Sequence, residues 1–251
     1  MRAMVKAVLL SGLVAAFVMP AFAAGETNSV RIDEAVALYR SRHLEPANTA
    51  KSERLLSAVL QEEPSNVHAL YELSRVYYIQ GNEANGKDAK LALYNKGSEC
   101  AKKAFTIDGR CVWGHVWYAV NLGKIGQARG VLNSLFLVDD IKAALEKALA
   151  IDPANVVALN VRAAVNAEVP RMLGGSVPEA IKDLEKALAI DPNYTILYAE
   201  LGKIYIKKKD YARARQYLAR GLATAKPTYE ADFILVDKPR LLELLGSIER
   251  K

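Results

Sequence analysis

Apolar residues recur along most of this chain at offsets of about 3, 4, 7 and 8, the spacing that lays one stripe along an α-helix. Ala180, Ile181, Leu184, Ala187 and Leu188 form one such stripe, and Ile141, Leu145, Ala148 and Leu149 form another. Both stripes run into the same stop. Glu-Lys-Ala-Leu-Ala-Ile-Asp-Pro occurs at 146–153 and again at 185–192, and weaker copies end at Glu63-Pro64, Asp108-Gly109 and Lys226-Pro227. Identical octets mark internal duplication, and Pro after Asp ends one helix while fitting the first turn of the next. A second helical pattern follows the stops, seen in Leu70, Leu73, Ser74 and Tyr77, and in Tyr198, Leu201, Gly202 and Tyr205 leading to Ala214, Leu218 and Leu222.

These paired patterns resemble the tetratricopeptide (TPR) repeat, a helix–turn–helix unit in which small residues let its helices A and B approach closely. Gly202, Ala180 and Ala187 stand where that approach needs them. The expected fold is therefore all-α: a TPR-like α-solenoid of antiparallel helical hairpins over 24–227, closed by an amphipathic capping helix in 228–251 that Pro239 opens. The same C-terminal face could instead join copies into an oligomer. Successive stops lie about 45, 44, 39 and 35 residues apart against a period of about 34, so extra residues are expected between helices A and B at Asn82 to Tyr94, Lys124 to Leu135 and Val169 to Ser176.

Residues 1–23 read as a cleaved signal peptide, with Arg2 and Lys6 before an uncharged apolar run and Ala21-Phe22-Ala23 as the cleavage site. No Cys follows the run, so no lipid attachment is expected. Export places the mature chain in a bacterial periplasm, with the membrane met only before cleavage. Removal of Arg2 and Lys6 lowers a net charge of +6 by two. That weakens nucleic acid as an explanation of the basic excess, as does the lack of basic runs interleaved with stacking aromatics.

Helix A lines the concave face of a TPR, and counting from each stop points His68, Tyr71, Arg75 and Tyr78 inward, then Trp113, Val116, Val120 and Lys124. The later units add Asn160, Ala164 and Glu168, then Ile196, Lys203 and Lys207. Arg75, Lys124, Lys203 and Lys207 against the single Glu168 favour an anionic partner, with tyrosine and Trp113 rings for its apolar part. Trp117 reads as core, and Trp113 as either core or groove.

No residue set carries catalysis, a metal or a cofactor. Gly174 and Gly175 lack the strand, Lys and spacing of a phosphate loop and fit a turn needing positive φ, with Ser176 capping the next helix and Glu179 at capping-box distance. His43, His68 and His115 share no zinc-binding spacing, and His115 fits an ordinary helix-face position. Cys100 and Cys111 fall on the order of 12 Å or more apart along a helix, too far for a disulfide, so both are expected free. Lys207-Lys208-Lys209 reads as a solvated turn.

Trp117-Tyr118-Ala119 with Leu122-Gly123, and Pro170-Arg171-Met172-Leu173-Gly174-Gly175-Ser176 running into Glu185-Lys186-Ala187-Leu188, resemble the divergent TPR-like proteins that include the T component of periplasmic TRAP transporters (TatT-like). The regulator of microtubule dynamics proteins share parts of these patterns, and export disfavours a microtubule role. The resemblance, over roughly Asn66 to Lys226, implies a non-enzymatic exported protein working beside a TRAP solute-binding protein. An adaptor for a protein partner is thus the first expectation. A binding protein for a small amphipathic anion is the second.

Overall fold

The computed structural model describes residues 21–130 and 135–249, and all regular structure among them is helical. Most of the signal segment lies outside the described residues. Ten helices pair into five antiparallel hairpins: α1 (Ala21–Arg40) with α2 (Asn48–Glu62), α3 (Val67–Glu83) with α4 (Lys87–Ile107), α5 (Val112–Arg129) with α6 (Val138–Ile151), α7 (Val156–Glu168) with α8 (Val177–Ile190), and α9 (Ile196–Lys207) with α10 (Tyr211–Leu222). A short turn α11 (Glu230–Asp232), a π-helical turn (Phe233–Asp237) and α12 (Lys238–Gly246) follow. The solenoid fold expected from the repeats is what the chain adopts, with α1 as a further helix A that no repeat motif had marked.

One device makes most of the hairpin-to-hairpin joints. An Asp ends helix B and its carboxylate accepts the backbone N–H two residues on, from Arg110 (2.9 Å) at Asp108, Ala154 (3.1 Å) at Asp152 and Asn193 (2.9 Å) at Asp191. One residue later the N-cap of the following helix A accepts from its third residue: Asn66 from Ala69 (2.9 Å) and Asn155 from Ala158 (3.0 Å). In α5 this position is Cys111, whose Sγ accepts from Gly114 N–H at 3.3 Å. Cys111 is therefore a capping residue, and both it and Cys100 are free thiols, as the spacing predicted.

Close helix approach follows the small residues. A β-carbon on Gly202 would come within 2.4 Å of the fully buried Leu218. Ala180, Leu184 and Ala187 are fully buried, and one continuous core runs from Tyr94 to Ile248. A smaller core joins α1, α2 and α3 around Ile32, Tyr39, Leu56 and Val76. As the repeat logic required, α12 caps the array, sealing Leu241 and Ile248 against α9 and α10.

The first expected insertion is not a loop. The extra length continues α3 to Glu83 and gives α4 21 residues, leaving 84–86 as the connection, with Gly86 at φ 85°. Two helices lengthen together because each still buries a stripe against the other, including Tyr77, Ile79 and Tyr94. The second insertion falls partly outside the described residues and ends in a 3₁₀ turn (Leu135–Leu137). The third is a loop holding a 3₁₀ turn (Arg171–Leu173). There Gly174 has φ 82°, while Gly175 is needed for closeness instead, since a β-carbon would sit 1.7 Å from the Val169 carbonyl oxygen. Ser176 accepts from Glu179 N–H at 3.4 Å, in the capping role its spacing predicted.

Candidate functional site: a chamber under the C-terminal segment

The concave face is not an open groove. Residues 229–237 cross in front of it and partly cover a cavity of about 490 Å³, walled by the A helices on one side and by this segment on the other and open to solvent between them. The cavity runs obliquely. It meets Arg75, Tyr78, Ile79, Asn82 and Glu83 in the second half of α3, Trp117 and Val120 in the middle of α5, then Val157, Asn160 and Val161 early in α7 and Tyr194 and Ile196 at the start of α9. Arg42, His43 and Thr49 close one end, and Asp232, Leu235, Val236 and Asp237 form the front wall.

Of its charged groups, Arg42 is neutralised. Its guanidinium pairs with Asp232, 190 positions away, and its Nε lies 3.5 Å from Glu83 Oε1. Arg75 differs. It is 8% exposed, donates to the Tyr39 hydroxyl at 3.1 Å, and sits 4.7, 5.3 and 4.6 Å from the ring centres of Tyr39, Trp117 and Tyr229. Among the described residues no carboxylate is within ion-pair distance of it, so the desolvated cation is contacted by ring faces and one hydroxyl, with Asp232 and Glu72 adding a longer-range attraction. Burial pushes the Tyr39 hydroxyl well above the ordinary tyrosine range, which keeps this partner neutral and a donor in its own right to Glu72 at 2.8 Å.

Arg75 also borders a smaller cavity of about 250 Å³ with Arg40, Arg42 and Thr228. On the front wall Asp237 is 2% exposed and accepts from the Thr195 hydroxyl at 2.6 Å. Burial lifts its carboxyl from 3.8 to about 7, assisted by the charge of Asp232 and opposed by the Thr195 hydrogen bond and by Arg240. Thr49 Oγ, His43 Nδ1 and Asn160 Oδ1 are buried without protein partners. The chamber can therefore seat a group with an anionic end and an apolar body, with polar atoms spare to meet it.

The structure brings together Arg75, Tyr78 and Asn160 of the residues counted inward, together with Val120 and Ile196. It sends the others elsewhere. His68 stacks on Tyr71 at 5.0 Å, and both lie outside the chamber, Tyr71 against the small cluster of Leu70 and Cys111. Val116 is fully buried core, because its face of α5 points between helices, while Trp113 is half-buried on that core and Trp117 faces the cavity while 6% exposed. Lys124 stops 5.6 Å from the Tyr78 ring, beside the chamber, and burial holds its amine below the usual lysine range. Lys203 and Lys207 both turn onto Glu168, Lys207 at 3.3 Å, so two of the four expected cations neutralise the acid expected beside them. The basic concavity reduces to Arg75 and the paired Arg42. His115 takes its ordinary role, 3.1 Å from the Gly109 carbonyl and stacked on Phe105.

Counting from the repeats missed Arg42, Tyr194, Tyr229, Asp232 and Asp237. They sit in connections and in the C-terminal segment, where no repeat phase applies. Among the described residues no group of three His, Cys, Asp or Glu could hold a metal, and no helix is long and apolar enough to cross a membrane.

The chain resembles solved TPR structures in fold. Its TM-score is 0.65 to the thermophilic TPR protein TTC0263 of Thermus thermophilus, at 20% identity over 86% of this chain and 99% of that one. For pilF of Pseudomonas aeruginosa it is 0.56, at 18% identity over 91% and 93%. A tetratricopeptide repeat model matches residues 173–230. Among curated proteins, regulator of microtubule dynamics protein 1 of Rattus norvegicus is 26% identical over 62% of this chain and 55% of its own length, so the chain spans little more than half of that relative. The Pongo abelii protein of the same name is 25% identical over 77% of this chain and 68% of its own. The family model described as regulator of microtubule dynamics protein 1-3 matches residues 32–162, just over half of the sequence, and the chain belongs to that family as a TPR-like helical-repeat protein.

Proposed function

We propose that the protein is an exported, non-enzymatic helical-repeat adaptor that holds a partner protein at its concave face, with an anionic group of the partner seated on Arg75. The carrying observation is the state of Arg75: buried, flanked by three rings and with no carboxylate in ion-pair contact, Glu72 and Asp232 acting on it only from farther off. A guanidinium so placed gains most from a carboxylate or phosphate that meets its planar donors. The rim adds apolar contact, since Phe136 and Met172 are 63% and 89% exposed on the A-to-B connections of the third and fourth hairpins. These connections are neighbours, as Lys142 of α6 reaches the Gly174 carbonyl at 3.1 Å.

The signal-like residues 1–23 support export, and the resemblance to TRAP T components supports a solute-binding protein as the partner. The microtubule role named for the mammalian relatives is not extended to an exported chain. Pull-down from a periplasmic extract tests the reading. Wild type should recover a protein that Arg75→Met does not, and the recovered chain should begin at Ala24. An empty pull-down, or a chain retained in the cytoplasm with Met1, overturns it.

One observation favours a second reading, direct binding of a small amphipathic anion. The partly covered cavity of about 490 Å³ falls in the size range of small-molecule sites. Native mass spectrometry of purified protein should then show a bound anion that Arg75→Met releases.

A further inference from the structure

The front wall and the cap that follows it are attached differently. Leu241 and Ile248 of the cap are fully buried. Residues 229–237 bury only Ala231 and part of Phe233 among their aliphatic and phenyl side chains and are otherwise held by side-chain contacts: Tyr229 beneath Arg75 and edge-on to Tyr194 at 5.3 Å, Asp232 on Arg42, and Asp237 on Thr195. Ile234, Leu235 and Val236 keep 42%, 46% and 44% of their surface exposed although two of them face the cavity. The backbone here closes a π turn, with Lys238 N–H donating to the Phe233 carbonyl, a rare spacing that is frequent at functional sites. Thr228 fastens the start of the segment to Asp191 at 2.7 Å, and Arg240 fastens its end to Glu200 at 2.9 Å. A displaced middle thus leaves both ends anchored.

We infer that residues 229–237 are an internal stand-in for the partner: the concave face binds a helical segment in which acidic residues flank a short aliphatic run, and the partner takes its seat by displacing this one. The segment supplies the chemistry directly, since Asp232 and Asp237 bracket Phe233, Ile234, Leu235 and Val236. Arg42 is the complementary charge. A partner offering the same pattern exchanges an intramolecular ion pair for an intermolecular one, so the resident segment sets an affinity threshold and selects acidic partners. The inference rests on the concave face being the binding face.

The experiment uses a labelled peptide with the sequence of residues 229–237 and the full chain. Loosening the resident segment with Asp232→Asn should tighten peptide binding, read by anisotropy, by roughly tenfold, because the competing conformer loses a charge-assisted hydrogen bond. Arg42→Ala in that background should remove the gain, and so should a peptide carrying Asn in place of its Asp232. In wild type, excess peptide should speed hydrogen exchange of residues 229–237 while leaving α12 unchanged, which gives a readout even where a variant fails to fold. Equal binding to wild type and Asp232→Asn, or unchanged exchange, overturns the inference. If Arg75-dependent capture of a partner persists in that case, the segment is a fixed wall and the adaptor reading stands.

Discussion

Arg162 and Asp183 meet across the α7–α8 hairpin as a fork, Nε to Oδ2 at 2.7 Å and an Nη to Oδ1 at 2.6 Å. Asp183 is 5% exposed, so the bond is shielded on the acid's side while the guanidinium keeps contact with water. Asp183→Ala should cost about 2 kcal/mol, the usual size for a charge-assisted hydrogen-bonded pair. Chemical denaturation measures it. Arg162→Lys should recover little of the loss, because an ammonium cannot reproduce the fork.

Cys111 stands where Asn66 and Asn155 cap their helices. A thiol is a weak acceptor, and burial pushes the Cys111 pKa up, which keeps it from becoming the stronger thiolate acceptor. Cys111→Asn should therefore stabilise the protein by about 1 kcal/mol through a better cap at α5. A melting temperature at or below wild type would show that the small buried site beside Leu70 and Ala104 cannot take the amide.

Gly175 and Gly202 should differ in their tolerance of alanine. At Gly202 the obstacle is the Leu218 side chain, which can shift at a cost of about 1–3 kcal/mol for overpacking. At Gly175 the obstacle is the Val169 carbonyl oxygen at 1.7 Å, so the 169–176 turn itself must move. Gly175→Ala should thus be the more damaging, with the Lys142 contact to Gly174 lost as well. Thermal melts of the two variants decide the order.

Asp237 predicts a pH dependence. Its folded carboxyl titrates near about 7 and its unfolded one near 3.8, so the folded state holds the proton more tightly. The stability this contributes is complete below the unfolded value and lost as pH rises through about 7. Burial moves Glu83, at the other end of the chamber, in the same direction. Asp237→Asn imitates the protonated form and should melt above wild type at about pH 8, the gap narrowing as pH falls through about 7 and closing only below the unfolded value of 3.8. A constant difference between them across that window would refute the assignment.

The repeats made the hairpins, the close approach at Gly202, the Ser176 cap and the C-terminal seal readable in advance, because each depends on neighbours within one unit. The chamber was less readable. Counting placed whole A-helix faces on a groove, but the cavity crosses those helices obliquely. It takes the end of α3, the middle of α5 and the beginnings of α7 and α9, and Lys203 and Lys207 fall at the wrong end of their helix. Arg42 and Asp232 were beyond reach for a different reason: their meeting depends on the curvature accumulated over all the hairpins between them, and no local pattern records that sum.

The Arg42–Asp232 contact also alters how the molecule should come apart. A linear repeat array has nearest-neighbour cohesion only, and its terminal units can melt one at a time. Pinning residues 229–237 to the first hairpin closes the row into a ring, in which the first hairpin and this segment part only by breaking their contact. Unfolding of the outer hairpins should then be more concerted, and cutting the Arg42–Asp232 pair should weaken that coupling, leaving the Arg40–Tyr229 contact as the remaining link.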